Sequence, residues 1–163
     1  MVGHLLIGAR GHVDDPVSFL SEVQKLFPYD VLCMDAYMVC GREHIESALE
    51  HARRAIRNGN NSSSGLAMET MLYASGEKQL AKARDKMGLK AGTEHLAILF
   101  IGPGPKDDEL KRLGLHRDDA VLEFSLQKAL NFGIEPNELA SVPDHMARDL
   151  VLERVAFVDI IKR

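Results

Sequence analysis

The spacing of apolar residues changes several times along this chain, and each change predicts a new element. His4 to Arg10 reads HLLIGAR, an apolar run with the makings of a buried strand, closed by Gly8 and Gly11. Asp14 and Asp15 precede Pro16, an N-cap followed by a first-turn proline. Val17, Leu20, Val23 and Leu26 or Phe27 then recur at helical spacing, so a helix is expected to end near Pro28. Asp30 to Cys40 reads DVLCMDAYMVC. As a strand it turns Val31, Cys33, Tyr37 and Val39 one way and Leu32, Met34, Ala36 and Met38 the other, the pattern of an interior strand covered on both faces. Asp35 is the odd polar residue in that run and needs a hydrogen-bond partner.

Gly41 to Asn58 is the clearest helix. Ile45, Ala48, Leu49, Ala52 and Ile56 form one narrow stripe, while Arg42, Arg53, Arg54 and Arg57 are left to face outward. NGNNSSSG, residues 58–65, follows as a flexible polar loop with no packing residue. LAMETMLYAS, residues 66–75, reads as a helix with Met68, Met71, Leu72 and Ser75 on one side, a strand being the alternative. After Gly76 a second helix is expected over Glu77 to Met87, with Leu80, Ala83 and Met87 inward and Gly88 as its stop, so the pair forms a hairpin about Ser75-Gly76. Thr93 to Ile101 contains LAILFI, a continuous apolar strand that ends in Gly102-Pro103-Gly104-Pro105. Beyond it the pattern predicts helices over Asp107 to Leu113 and Asp118 to Phe132, and a single turn over Pro136 to Leu139. The final segment, Asp144 to Ile161, gathers Leu150, Val151, Arg154, Val155, Val158 and Ile161 on one side at spacings of three and four. Its β-branched content keeps a strand as the alternative.

Strands separated by helices in mixed order, without internal repeats, predict an α+β fold: a small mixed or antiparallel sheet packed with several helices. The 163 residues fall in the usual size range for a single domain that buries its own core. The apolar stretch Leu96 to Ile101 is far shorter than the roughly 20 residues of a membrane span. The opening Met-Val-Gly-His lacks the basic flank and apolar region of a secretory signal, and a cytosolic location is expected. Cys33 and Cys40, placed in one strand with opposite parity, are expected as buried reduced thiols.

The familiar chemistries are missing. Neither a Walker loop nor a dinucleotide-binding glycine pattern occurs, and no two of the seven histidines stand four residues apart as a helical zinc pair. His44 and His51 share a helix side and read as surface histidines. Glu43, Glu46 and Glu50 lie among arginines and read as ion-pairing groups. Asp35 and Glu69, set in apolar segments, are the carboxylates expected to find structural partners. No cofactor, metal site, small-molecule substrate or catalytic pair is therefore expected, and an enzyme with an unrecognised site is the least favoured alternative.

The basic residues cluster. Arg42 and His44 open the long helix, Arg53, Arg54 and Arg57 close it, and Lys78, Lys82 and Lys86 recur every fourth residue as a stripe, usually a solvated face. Motif order adds to this. The run Gly8-Ala9-Arg10-Gly11 is followed by Asp35 with Val39, Gly41 and His44, and then by Ala48, Ala52, Arg53 and Ala55. Last comes Glu69-x-x-Leu72-Tyr73-x-Ser75-Gly76-x-Lys78-Gln79-Leu80-x-x-Ala83. Over residues 4 to 89 this resembles the small regulatory subunit of the KEOPS complex, the family of the PRPK-binding protein. At Lys78 the family more often has arginine.

The resemblance implies a non-catalytic subunit of the machinery that makes threonylcarbamoyladenosine in tRNA, bound to a kinase-like ATPase subunit and to the single-stranded CCA end of tRNA. The RNA-facing set is then Arg53, Arg57, Glu69, Tyr73, Ser75, Gly76, Lys78, Gln79 and Lys82. Within it, Gly76 allows close backbone approach, Tyr73 stacks on an unpaired base, the cations neutralise phosphates, and Gln79 and Glu69 read base edges or brace the turn. Tyr73 as a core aromatic and Gly76 as a helix breaker stand as the plain alternatives. The apolar segment Leu152 to Ile161 is like the one such subunits dock onto their kinase partner. Leu150, Arg154, Val155, Val158 and Ile161 are expected to serve that contact or to cover the sheet. The competing function is a pure protein-interaction scaffold that regulates the kinase without touching RNA.

Overall fold

In the computed structural model the described residues, 3–162, form an α+β fold and divide into two compact units. The first takes the chain up to Tyr37 together with Gly88–Leu122. Its sheet is antiparallel with strand order β2-β3-β1-β4, built from β1 (Leu5–Val13), β2 (Val31–Asp35), β3 (Thr93–Phe100) and the two-residue β4 (His116–Arg117). The continuous apolar runs become the central pair, with Leu5 opposite Phe100, Ile7 opposite Ile98 and Ala9 opposite Leu96. One face carries Ile7, Ala9, Cys33, Leu96, Ile98 and Phe100. These pack with Val23 and Phe27 of α1 (Pro16–Leu26) and its C-cap, and with Leu110 of α5 (Asp107–Arg112). Alternation turns Leu6, Leu32, Met34, Ala97 and Leu99 to the opposite face, and all of them are buried.

Gly8 has its place because the chain crosses it closely. A Cβ there would lie 2.4 Å from Asp118 O, and the Gly8 N–H donates to Asp119 Oδ1 at 3.0 Å.

The second unit, Met38–Met87 with the chain from Glu123 onward, is helical. It holds α2 (Arg42–Arg57), α3 (Leu66–Ser75), α4 (Leu80–Met87), α6 (Leu126–Phe132), α7 (Pro136–Ala140) and α8 (Ala147–Ile161). α2 and α3 are joined by residues 58–65 and run antiparallel, since His44 at the start of one reaches Ala74 at the end of the other. α3 is buried nearly all round. Cys40, Ala129, Phe132, Ile134, Leu150 and Val151 form a cluster beside it in the same unit.

Several boundaries differ from the sequence expectation. The strand expected over Asp30 to Cys40 stops at Asp35, where a 3-10 turn, Ala36–Met38, begins. Asp35 finds its partner there: its carboxylate accepts from the Tyr37 N–H at 3.0 Å and so bends the chain out of the strand. Cys33 and Cys40 are therefore not strand-mates, although both are buried free thiols, and burial pushes each thiol up to about 12. The helix expected over Asp118 to Phe132 is broken. A 3-10 turn, Asp119–Leu122, precedes α6, which starts where the Ser125 hydroxyl accepts from the Lys128 N–H. On α1 the buried residue is Val23, while Val17 is 78% exposed; on α2 Ala55 is buried and Ile56 faces out. The last segment is the helix α8, not a strand.

Candidate functional site

The α2–α3 hairpin has two polar ends, and the sequence-predicted site residues are split between them. At the elbow end α3 closes on Gly76. Its φ of +73° is the left-handed conformation that glycine adopts without Cβ strain, and its N–H donates to Tyr73 O. A Cβ at Gly76 would stand 3.4 Å from the Phe132 ring and 3.5 Å from Arg154 Cβ, so the turn is flanked by α6 and α8. Lys86 Nζ donates to Ser75 O at 2.7 Å and sits 3.8 Å from the centroid of Phe132. A cation thus covers the carbonyl end of α3. Burial lowers the Lys86 pKa from its ordinary value.

His44 completes this end. It is fully buried. Its Nδ1 accepts from the Cys40 N–H at 2.9 Å and its Nε2 donates to Ala74 O at 2.7 Å, which fixes one neutral tautomer. Burial, with Lys86 and Lys128 nearby, drives its pKa down to about 4 against the opposing bond to Ala74. The expected surface histidine is therefore a core residue that joins two helices. Its place on the same stripe as Ala48 and Ala55, at i+4 and i+11, was the signal that marks it.

The loop end is charged. Glu69 is fully buried, and its carboxylate accepts from Ser62 N–H, Ser63 N–H and Ser63 Oγ at 2.9–3.1 Å. It also accepts from Lys162 Nζ at 2.7 Å. Burial alone would raise the Glu69 pKa, but these donors prevail and the carboxyl lies below its usual range. Beside it Tyr73 is fully buried, stacked on His51 at 5.4 Å between centroids, with the Lys162 ammonium 4.6 Å from its ring and its hydroxyl donating to Asp159. Burial first, then the Asp159 carboxylate, raises the Tyr73 pKa.

These positions correct the RNA-facing set. Tyr73 presents no ring for stacking, because it is core. Ser75 is buried and donates to Leu72 O, and Glu69 is buried and braces the loop. Arg53 is half-buried and Arg57 exposed, but both lie toward the loop end. Arg57 is 13 residues along α2 from His44, about 20 Å at 1.5 Å per residue, whereas Lys78 follows the elbow. Lys78 and the two arginines, all expected to neutralise phosphates, therefore stand at opposite ends of the hairpin. Lys78, Gln79 and Lys82 are exposed beside the half-open Gly76. Lys86 leaves the expected lysine stripe by turning inward.

On α8 the predicted stripe is the inner face. Leu150, Val155 and Val158 are buried, Ile161 is half-buried, and Arg154 makes a two-pronged ion pair with Glu138 at 2.7 and 3.1 Å. Those packed side chains are not a docking ridge. The outward face carries Phe157, 49% exposed, and Ile160, 61% exposed, with Glu153 and Ala156 on the same side at helical spacing. Sequence reasoning passed over Phe157 and Ile160 because a stripe was already complete without them.

Among the described residues no group of three or more His, Cys, Asp or Glu is arranged to hold a metal ion, and no helix is long and apolar enough to cross a membrane. No match to this chain is found among curated proteins. A family model described as kinase binding protein CGI-121 matches residues 17–141, most of the chain and both arms of the hairpin. The chain belongs to the kinase binding protein CGI-121 family.

Proposed function

We propose that this chain is a non-catalytic subunit of the KEOPS complex, working in the cytosol as one regulatory domain. It binds the kinase-like ATPase subunit and the 3′ CCA end of tRNA in support of threonylcarbamoyladenosine modification. Membership of a family described as kinase binding carries the reading. The exposed apolar ridge of α8 supports the kinase contact: Phe157 and Ile160 are large side chains left in water on a helix whose other face is already satisfied. Two aspartates in place of Phe157 and Ile160 abolish co-purification with the kinase-like subunit while the fold persists. Retained binding would move the contact elsewhere.

The RNA contact draws support from the exposed Lys78, Gln79 and Lys82 around the turn at Gly76, where backbone and cations face solvent together. A specific observation favours the scaffold reading: Tyr73 and Ser75 are buried, and Arg53, Arg54 and Arg57 of α2 lie at the far end of the hairpin from Lys78. The two readings separate in one experiment. Binding of full-length tRNA and of tRNA trimmed of its 3′ tail is measured at two salt concentrations, with Lys78→Glu as control. Loss of binding on trimming and in the variant supports CCA recognition. Equal binding of both RNAs removes it, and no RNA binding by a chain that still holds the kinase leaves the scaffold.

A further inference from the structure

We infer that the carboxy-terminal turn of α8 is a latch that keeps the Asn58–Gly65 loop ordered through the Lys162–Glu69 pair. The loop has the sequence NGNNSSSG and no apolar side chain to anchor it. Its first residues are held by the end of α2, where Gly59 N–H donates to Ile56 O and Asn60 N–H to Ala55 O. Beyond them, the tertiary anchor of Ser62 and Ser63 is Glu69, which accepts both of their amides and the Ser63 hydroxyl. That carboxylate remains ionised out of water because Lys162, its side chain 5% exposed, lies on it at 2.7 Å. Lys162 is the C-cap of α8, and the same turn is tied down twice more, by Asp159 accepting from the Tyr73 hydroxyl and by its second carboxylate oxygen lying 3.3 Å from His51 Nδ1. The anchor Glu69 is 93 residues away in sequence from the side chain that neutralises it, so the order of the loop depends on whether the end of α8 is seated.

When the turn is seated, three donors from the loop share a carboxylate whose charge is balanced. When Lys162 is withdrawn, Glu69 either takes up a proton and loses acceptor strength or drags water inward. In both cases the bonds to Ser62 and Ser63 weaken while α2 and α3, which meet through Ala74, His44 and apolar contacts, stay packed.

The test is amide hydrogen exchange on the whole chain, comparing wild type with Lys162→Met, which keeps an unbranched apolar stem beneath the Tyr73 ring, and with Lys162→Arg, which keeps the charge. The latch predicts that Lys162→Met speeds exchange at Ser62 and Ser63 by about ten- to a hundredfold. Buried amides of α2 stay within about twofold of wild type, and Lys162→Arg recovers most of the protection. Wild-type protection of Ser62 and Ser63 in Lys162→Met overturns the inference, as does an equal acceleration at every amide. If Lys162→Met fails to fold, Glu69→Gln is measured instead. It keeps one acceptor oxygen, and it must loosen the loop in the same local way for the latch to stand.

Discussion

The two ends of the α2–α3 hairpin solve one problem in opposite ways. At the elbow, buried polar groups are matched by a neutral imidazole and one inward lysine, each spent on backbone carbonyls and amides. At the loop end, a buried carboxylate is matched by an ammonium from the far end of the chain and by amides of a segment that has no core of its own. The neutral imidazole holds two helices together and asks little of its surroundings. An ionic match is conditional, because removing either charge leaves the other buried and unbalanced. The loop end is therefore where this unit is easiest to loosen locally.

Breaking that ionic match gives the largest expected effect. Glu69→Ala strands the Lys162 ammonium and two loop amides, and unfolding in urea should show a loss of about 3–5 kcal/mol. Next is the neutral end: His44→Leu leaves Cys40 N–H and Ala74 O without partners, for about 2–4 kcal/mol by the same measurement.

Acid sharpens the contrast, because the two ends respond in different pH windows. The folded pKa of His44 is depressed to about 4 from 6.5, so the unfolded chain takes up the proton first. Its contribution is fully present above pH 6.5, declines as pH falls toward about 4, and amounts to roughly 3 kcal/mol over that range. Glu69 has a lowered pKa, so its contribution holds above the ordinary carboxylate value of 4.5 and is lost only as pH falls below it, through the folded pKa. Urea midpoints from pH 8 to 3 should show an upper phase that vanishes in His44→Leu and persists in Glu69→Gln. A smaller change follows from Tyr73→Phe, which removes one hydroxyl from the half-exposed Asp159 and should cost about 1 kcal/mol. Smallest is Phe157→Asp on the outer face of α8, where stability should move by no more than about 0.5 kcal/mol while kinase binding falls.

Long-period and continuous patterns are legible in this sequence. The central strands follow from their continuous apolar runs, and α2 and the inner stripe of α8 from spacing, because a helix with one solvent-facing side repeats that side in its sequence. Short-range hydrogen bonds were harder to see. Asp35 ends β2 by catching Tyr37 N–H, and Ser125 starts α6, each through a single side chain inside a run whose apolar period continues past it.

Spacing and motif order group the candidate residues, but which of them reach the surface is not legible in the sequence. Spacing on α8 identified Leu150, Val155 and Val158 correctly as one face, yet only packing decides that this face is the inner one and that Phe157 and Ile160 meet water. Glu69, Tyr73 and Gly76 stand close together in sequence. Even so, Tyr73 is closed off by His51 and by Asp159 and Lys162, which lie 86 and 89 positions further on.

What the sequence determined alone is therefore local: an α+β chain, its main elements, its inward stripes and its membership of a family. Tertiary structure decided exposure, charge state and which cations share a surface. Burial and ion pairing depend on groups brought together from distant positions, and the periodicity of one segment carries no record of what is folded against it.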